Sequence, residues 1–147
     1  MWSRPGYLIR RLHQIHVALF LAECRAFNLT QVQYGVLTAL AQRGELNLGS
    51  LAEEVGIDRV TVAGVLSRLH RRGLVRRRPD PKDRRARLAE VTARGRSMTI
   101  AVFNGMQRTQ DRLCAPLTPA QRDSFIATLA LLVRANNEHG RGVLRMD

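Results

Sequence analysis

Thirteen arginine and lysine side chains lie between positions 58 and 96 (at 59, 68, 71, 72, 76, 77, 78, 82, 84, 85, 87, 94 and 96), against four acids at 58, 80, 83 and 90. Guanidinium groups at this density bind phosphate oxygens and the acceptor edge of guanine. The stretch carries +9 of a formal net charge of +12 in 147 residues, and Lys82 is the only lysine. A merely soluble surface would spread its charge, so the gathering points to a polyanion, with nucleic acid ahead of an anionic membrane surface. Enzyme signatures are absent: there is no HExxH, no nucleophile elbow and no glycine-rich phosphate loop, and no cofactor is expected.

The elements that must position these cations are readable from periodicity and punctuation. Positions 5–26 carry Leu8, Leu12, Ile15, Leu19 and Ala22 at helical spacing, with a second line at Ile9, Phe20 and Phe27. Thr30 and Gln33 form a capping-box pattern that opens a second helix, closed at Gly44. Asn47 is placed to cap a short third helix stopped by Gly56, and Asp58 to cap a fourth over 59–72 closed by Gly73. Two short helices around Gly56-Ile57-Asp58 are a helix-turn-helix in outline. The period then changes to that of strands over 74–78 and 86–91, joined by the turn formers Pro79-Asp80-Pro81-Lys82-Asp83. A basic hairpin behind a helix-turn-helix is a wing. Thr92 caps a long helix to about Ala115, and Thr118-Pro119 opens the last one, which fades into a polar tail from Asn136.

The expected fold is mainly α with a small β wing. Its expected organisation is a single domain over 1–147, with a DNA-binding lobe at 30–95 and helical dimerisation regions at 1–29 and 96–147. The terminal helices carry more apolar surface than the small lobe can cover, and pairing with a second copy would bury the surplus. A composition of 45% hydrophobic and 24% charged residues argues against wholesale disorder. No apolar run approaches the roughly 18 residues of a membrane span, and the first residues lack a secretory signal. Cys24 and Cys114 make neither a disulfide framework nor a metal ribbon. A soluble cytoplasmic protein is expected.

The stretches Leu51-Ala-Glu-Glu-Val-Gly-Ile-Asp58, Thr61-Val62, Arg68-Leu-His-Arg-Arg-Gly-Leu-Val-Arg76, Asp80-Pro-Lys-Asp-Arg-Arg85 and Val91-Thr-Ala-Arg-Gly95 resemble the MarR family of winged helix-turn-helix regulators. The most specific part is the wing signature of Asp83, Arg85, Val91-Thr92 and Gly95, with Val91 where the family usually has leucine. The resemblance implies a homodimer gripping a pseudo-palindromic operator, usually as a repressor released by a small molecule. It also implies that Asp83 holds Arg85 by a salt bridge, so that the guanidinium enters the minor groove, where a narrow A/T-rich tract attracts it.

On the fourth helix, Val62, Val65, Leu66 and Leu69 make the core face. The opposite face offers Arg59, Val60, Ala63, Gly64 and Ser67, flanked by Thr61 and Arg68. Arg59 is placed to reach guanine O6 and N7, Val60 to touch a thymine methyl, and the small residues at 63 and 64 to let the backbone approach the major groove. Arg68, Arg71 and Arg72 are expected on phosphates, with Arg84 and Lys82 on phosphate or solvent.

His13 and His16, one turn apart on the first helix, admit three readings: dimer packing, lining of an effector pocket, or metal binding. The stretch from Arg10 and Arg11 to His16 resembles the first helix of family members that sense small aromatic carboxylic acids. A carboxylate in a half-apolar cleft is expected to sit beside Arg10, Arg11, His13 and His16, where the first, second and long helices meet the lobe. Two alternatives stay open: a cysteine-based redox repressor, against which Glu23 beside Cys24 raises the thiol pKa, and a sequence-tolerant architectural DNA-binding protein.

Overall fold

A computed structural model describes residues 3–146. Its order is α1 (Pro5–Cys24), a 3-10 turn (Arg25–Phe27), α2 (Gln31–Arg43), β1 (Leu46–Asn47), α3 (Leu48–Val55), α4 (Arg59–Arg71), β2 (Val75–Pro79), β3 (Arg87–Val91), α5 (Ala93–Cys114) and α6 (Pro119–Asn136), then a 3-10 turn (Asn137–His139). No described helix is long and apolar enough to cross a membrane.

Helix starts follow from local chemistry. Thr30 and Thr118 close full capping boxes with Gln33 and Gln121, while Asn47, Asp58 and Thr92 each accept the amide three residues on. Gly56 ends α3 with φ +65°, a left-handed conformation that a side chain would strain. The anticipated first helix stops two residues early and finishes as the 3-10 turn.

The sheet has the order β1-β3-β2 and is antiparallel throughout. Strands β2 and β3 are the anticipated wing, pairing Val75 with Val91 and Pro79 with Arg87. The two-residue β1 was not anticipated; it exists because Leu46 and Asn47 find Ala89 and Leu88 on β3.

The core runs through the lobe. Val62, Val65, Leu66 and Leu69 of α4 pack with Val36, Leu37 and Leu40 of α2, Leu51 of α3, and Leu74, Val75 and Ala89 of the wing. Gly95 explains one motif position: a Cβ there would stand 2.0 Å from the Leu74 carbonyl oxygen. The Thr92 hydroxyl meanwhile donates to the Gly73 carbonyl at 2.7 Å and accepts from Gly95 N–H. The wing, the end of α4 and α5 are thereby locked together.

Helix α1 packs along α5. Phe20 and Cys24 are buried there, and Gly105 makes room for Cys24 Sγ. Glu23 bridges to Arg108 at 2.7 Å and Arg112 at 2.8 Å, hydrogen bonds that hold its carboxyl below the usual range. By contrast α6 has no buried residue, and Ile126, Leu129, Leu131, Leu132 and Val133 lie in solvent, as do Leu8, Ile9 and Ile15 of α1.

Candidate nucleic-acid interface

Asp58 launches α4. Its Oδ1 accepts the Thr61 amide at 2.8 Å and its Oδ2 the Thr61 hydroxyl at 2.7 Å, which keeps the carboxyl charged. The Thr61 hydroxyl is thereby part of the cap, on an exposed residue. Beyond the cap, α4 presents the anticipated face: Arg59, Val60, Ser67 and Arg68 are exposed, with Ala63 and Gly64 half-buried among them. Val60 is 84% exposed, an aliphatic side chain with nothing of its own chain to cover it.

The fold brings together cations that the sequence placed on separate elements. A hollow of about 450 Å³ between α3, α4 and β3 is lined by Arg59, Arg77, Arg85 and Arg87, with no carboxylate. Arg77 passes beneath α4, its Nη2 donating to the Ala63 carbonyl at 3.4 Å and its buried Nε unpartnered. Arg68 and Arg71 line a second cleft, with Arg25 and the apolar walls of Leu21 and Leu29.

Several of the thirteen cations serve the fold instead. Arg72 is a correction: rather than standing free for a phosphate, it donates to the carbonyls of Asn28 at 2.6 Å and Phe27 at 3.1 Å, tying the end of α4 to the turn after α1. Arg76 pairs with Glu90 across the wing, which raises the arginine pKa and lowers that of Glu90; Arg78 pairs with Glu45, and Arg96 donates to the Ala41 carbonyl. Among the described residues, Arg59, Arg68, Arg71, Lys82, Arg84, Arg85, Arg87 and Arg94 have no side-chain partner.

The wing tip corrects a second expectation. Asp83 does not pair with the Arg85 guanidinium; its Oδ1 accepts the Arg85 backbone amide at 2.9 Å, and Asp80 does the same for Lys82. The aspartates shape the turn, and Arg84 and Arg85 stand exposed on it.

The proposed effector residues lie elsewhere. Arg10, Arg11 and His13 are exposed along α1, and His16 is half-buried with its Nδ1 3.2 Å from Gln31 Nε2. Burial, then the charge of His13, lowers the His16 pKa, so the ring accepts from Gln31 as the neutral imidazole. No group of three His, Cys, Asp or Glu side chains among the described residues could hold a metal ion. Burial also pushes the Cys24 thiol up, with Glu23 adding to it, away from the thiolate that oxidants attack.

The cleft itself opens between α2 and α5. About 230 Å³ is lined by Tyr34, Thr38, Ala41, Gln42, Thr99, Ile100 and Phe103, and an adjoining hollow by Gln31, Val32, Tyr34, Thr38 and Met106. Thr38 Oγ1 is buried there without a partner. None of these lining residues was singled out from the sequence as a site; Tyr34 and Thr38 lie four apart on a half-buried flank of α2, away from its buried stripe of Val36, Leu37 and Leu40.

The MarR family model matches residues 29–86. The chain is 27% identical over 138 residues to the transcriptional repressor NicR of Pseudomonas putida, covering 94% of this chain and 87% of that one. It is 30% identical over 124 residues to the transcriptional regulator HosA of Escherichia coli O157:H7, covering 84% and 90%. Among solved structures it is similar to Bordetella bronchiseptica BpsR, whose DNA binding is regulated by 6-hydroxynicotinic acid, with a TM-score of 0.85, 32% identity, and coverage of 88% and 93%. The chain belongs to the MarR family of winged helix-turn-helix, DNA-binding transcriptional regulators.

Proposed function

We propose that the chain is a homodimeric repressor that leaves a pseudo-palindromic operator when a small aromatic carboxylic acid fills the cleft between α2 and α5. The observation that carries this reading is the unpartnered Thr38 hydroxyl, buried in a cleft whose other walls are mostly apolar. A buried hydroxyl without a partner costs free energy that a ligand oxygen recovers. The likeness to NicR and BpsR supports a repressor answering to such an acid.

In this reading Arg59 and Val60 read the major groove over the close-set backbone at Ala63, Gly64 and Ser67. Arg68, Arg71 and Arg84 hold phosphates, and Arg85, set by Asp83, enters the minor groove. The lobe extends over 30–95, and the segments 1–29 and 96–147 form the dimer base. Arg10, Arg11 and His13 do not line the cleft of their own chain. They share α1 with the uncovered Leu8, Ile9 and Ile15; in this reading a second copy covers those residues and takes these cations beside its own cleft. There they neutralise the ligand carboxylate, while His16 reaches the cleft edge through Gln31.

Both recognition helices must meet successive major grooves, so a small rotation of the lobes on the base weakens binding. The ligand acts by preferring the rotated state, and about 1.4 kcal/mol of preference gives a tenfold loss of DNA affinity. The test titrates 6-hydroxynicotinate and a panel of hydroxylated benzoic acids against the complex with a duplex selected by the chain from a random pool. Release by a panel member is expected, and Thr38→Val should raise its midpoint about fivefold, near 1 kcal/mol. A panel without effect contradicts the ligand class; an unchanged midpoint in Thr38→Val contradicts the cleft. A His13→Ala/His16→Ala variant with an unchanged midpoint contradicts the role given to α1.

A further inference from the structure

Beyond α6 the chain folds back instead of trailing away. Asn137 holds the returning segment by both backbone groups of one residue: its Nδ2 donates to the Leu144 carbonyl at 2.7 Å, and its Oδ1 accepts the Leu144 amide at 2.9 Å. The next residue crosses to α3. The Arg145 amide donates to the Glu53 carbonyl at 2.8 Å, and its guanidinium pairs with the Glu53 carboxylate at 3.1 Å. Between these anchors the segment lies on the helix-turn-helix corner. Gly142 is so close that a Cβ would stand 2.7 Å from the Ile57 carbonyl carbon, and a Cβ on Gly56 would meet that of Leu144 at 3.0 Å.

That corner, Gly56-Ile57-Asp58, sets the direction of α4 relative to α3, and Asp58 is the cap from which the recognition helix starts. We propose that residues 137–145 are a strap that positions the recognition helix, with Asn137, Gly142 and Arg145 as positioning residues for DNA binding. An exposed ion pair such as Arg145–Glu53 contributes little alone. The strap is defined instead by three contacts of different kinds, namely reciprocal side chain–backbone bonds, a backbone bond to α3, and a fit that only glycine allows. It begins at the end of α6 and ends on α3, so it joins the reading head to the last helix by a route separate from α5.

The test uses the full chain and two readouts. One is hydrogen exchange at the amides of Ile57, Thr61 and Val62; the other is the ratio of affinities for a duplex selected by the unaltered chain and for an unselected random duplex. Gly142→Val, which cannot seat against Ile57, and Arg145→Glu, which sets two carboxylates against each other beside the backbone bond to α3, should both speed exchange at those amides. Each should lower the affinity ratio about fivefold or more. Glu53→Arg/Arg145→Glu, which restores the pair with the original net charge, should recover both readouts. A segment that only adds stability would lower Tm in the single variants yet leave the ratio and the local exchange unchanged, and that outcome overturns the proposal. Failure of the double variant to recover either readout overturns the part given to Arg145.

Discussion

In the winged lobe the inward positions of α4 all find partners: Val62, Val65, Leu66 and Leu69 are buried among α2, α3 and the wing. In α6 the stripe of Ile126, Leu129, Leu132 and Val133 finds none, although the helix opens on a full capping box where α4 has a single Asp58 cap. The lobe is therefore satisfied within one chain, and what it leaves unpaired is charge, directed at a polyanion. The terminal helices leave apolar surface unpaired, which in the proposed dimer a second copy of the same helices covers. A capped start and apolar residues at helical spacing form a helix in both places; what differs is whether the partner surface lies in the same chain.

The contrast breaks most visibly at the base. Ile126→Arg/Leu129→Arg should cost about 4 kcal/mol of association free energy, taking about 2 for each buried interface anchor, and shift sedimentation from dimer to monomer. Affinity for the selected duplex should fall with it while the helical circular dichroism of the chain is kept. Within the lobe the sensitive point is steric. Gly95→Ala would push a methyl against the Leu74 carbonyl, and thermal unfolding should show about 1–3 kcal/mol of destabilisation.

Smaller changes sharpen the division of labour among the cations. Arg59→Ala should lose about 1–3 kcal/mol at one base position of each half-site and reorder a series of duplex variants. Arg71→Ala should instead weaken all duplexes alike and flatten the dependence on salt. If both variants scale every duplex equally, Arg59 does not read sequence. The smallest effect is expected at His16. Its pKa in the fold lies below the usual histidine value of about 6.5, so folding favours the neutral ring. The stability this contributes is present above that value and is lost as pH falls through the lower, folded pKa. His16→Gln should remove that part of the acid sensitivity, measured as Tm against pH between about 7 and 5.

Most of the lobe was legible because its determinants are local. Thr30, Asn47, Asp58, Thr92 and Thr118 each act on an amide three residues away, and the glycines that close the helices follow them directly. What escaped is what distant pairing decides. Strand β1 exists only through β3, and Arg72 is bonded to carbonyls 44 and 45 residues back. The strap returns from α6 to a corner more than eighty residues upstream. The candidate interface divides the same way. The outward face of α4 followed from the inward one, whereas the meeting of Arg59 with Arg77, Arg85 and Arg87 needed the wing to be folded against α3 and α4. At the wing tip the pattern of aspartate and arginine was visible, but its bond runs to the backbone and not to the guanidinium.

The division between a self-sufficient lobe and an incomplete base is tested most directly by sedimentation of the unaltered chain at micromolar concentration, alone and on its selected duplex. The expected result is a dimer in both, with two chains per duplex and half-site centres about 10 base pairs apart. A monomer that binds the duplex one to one, with full affinity, would contradict it.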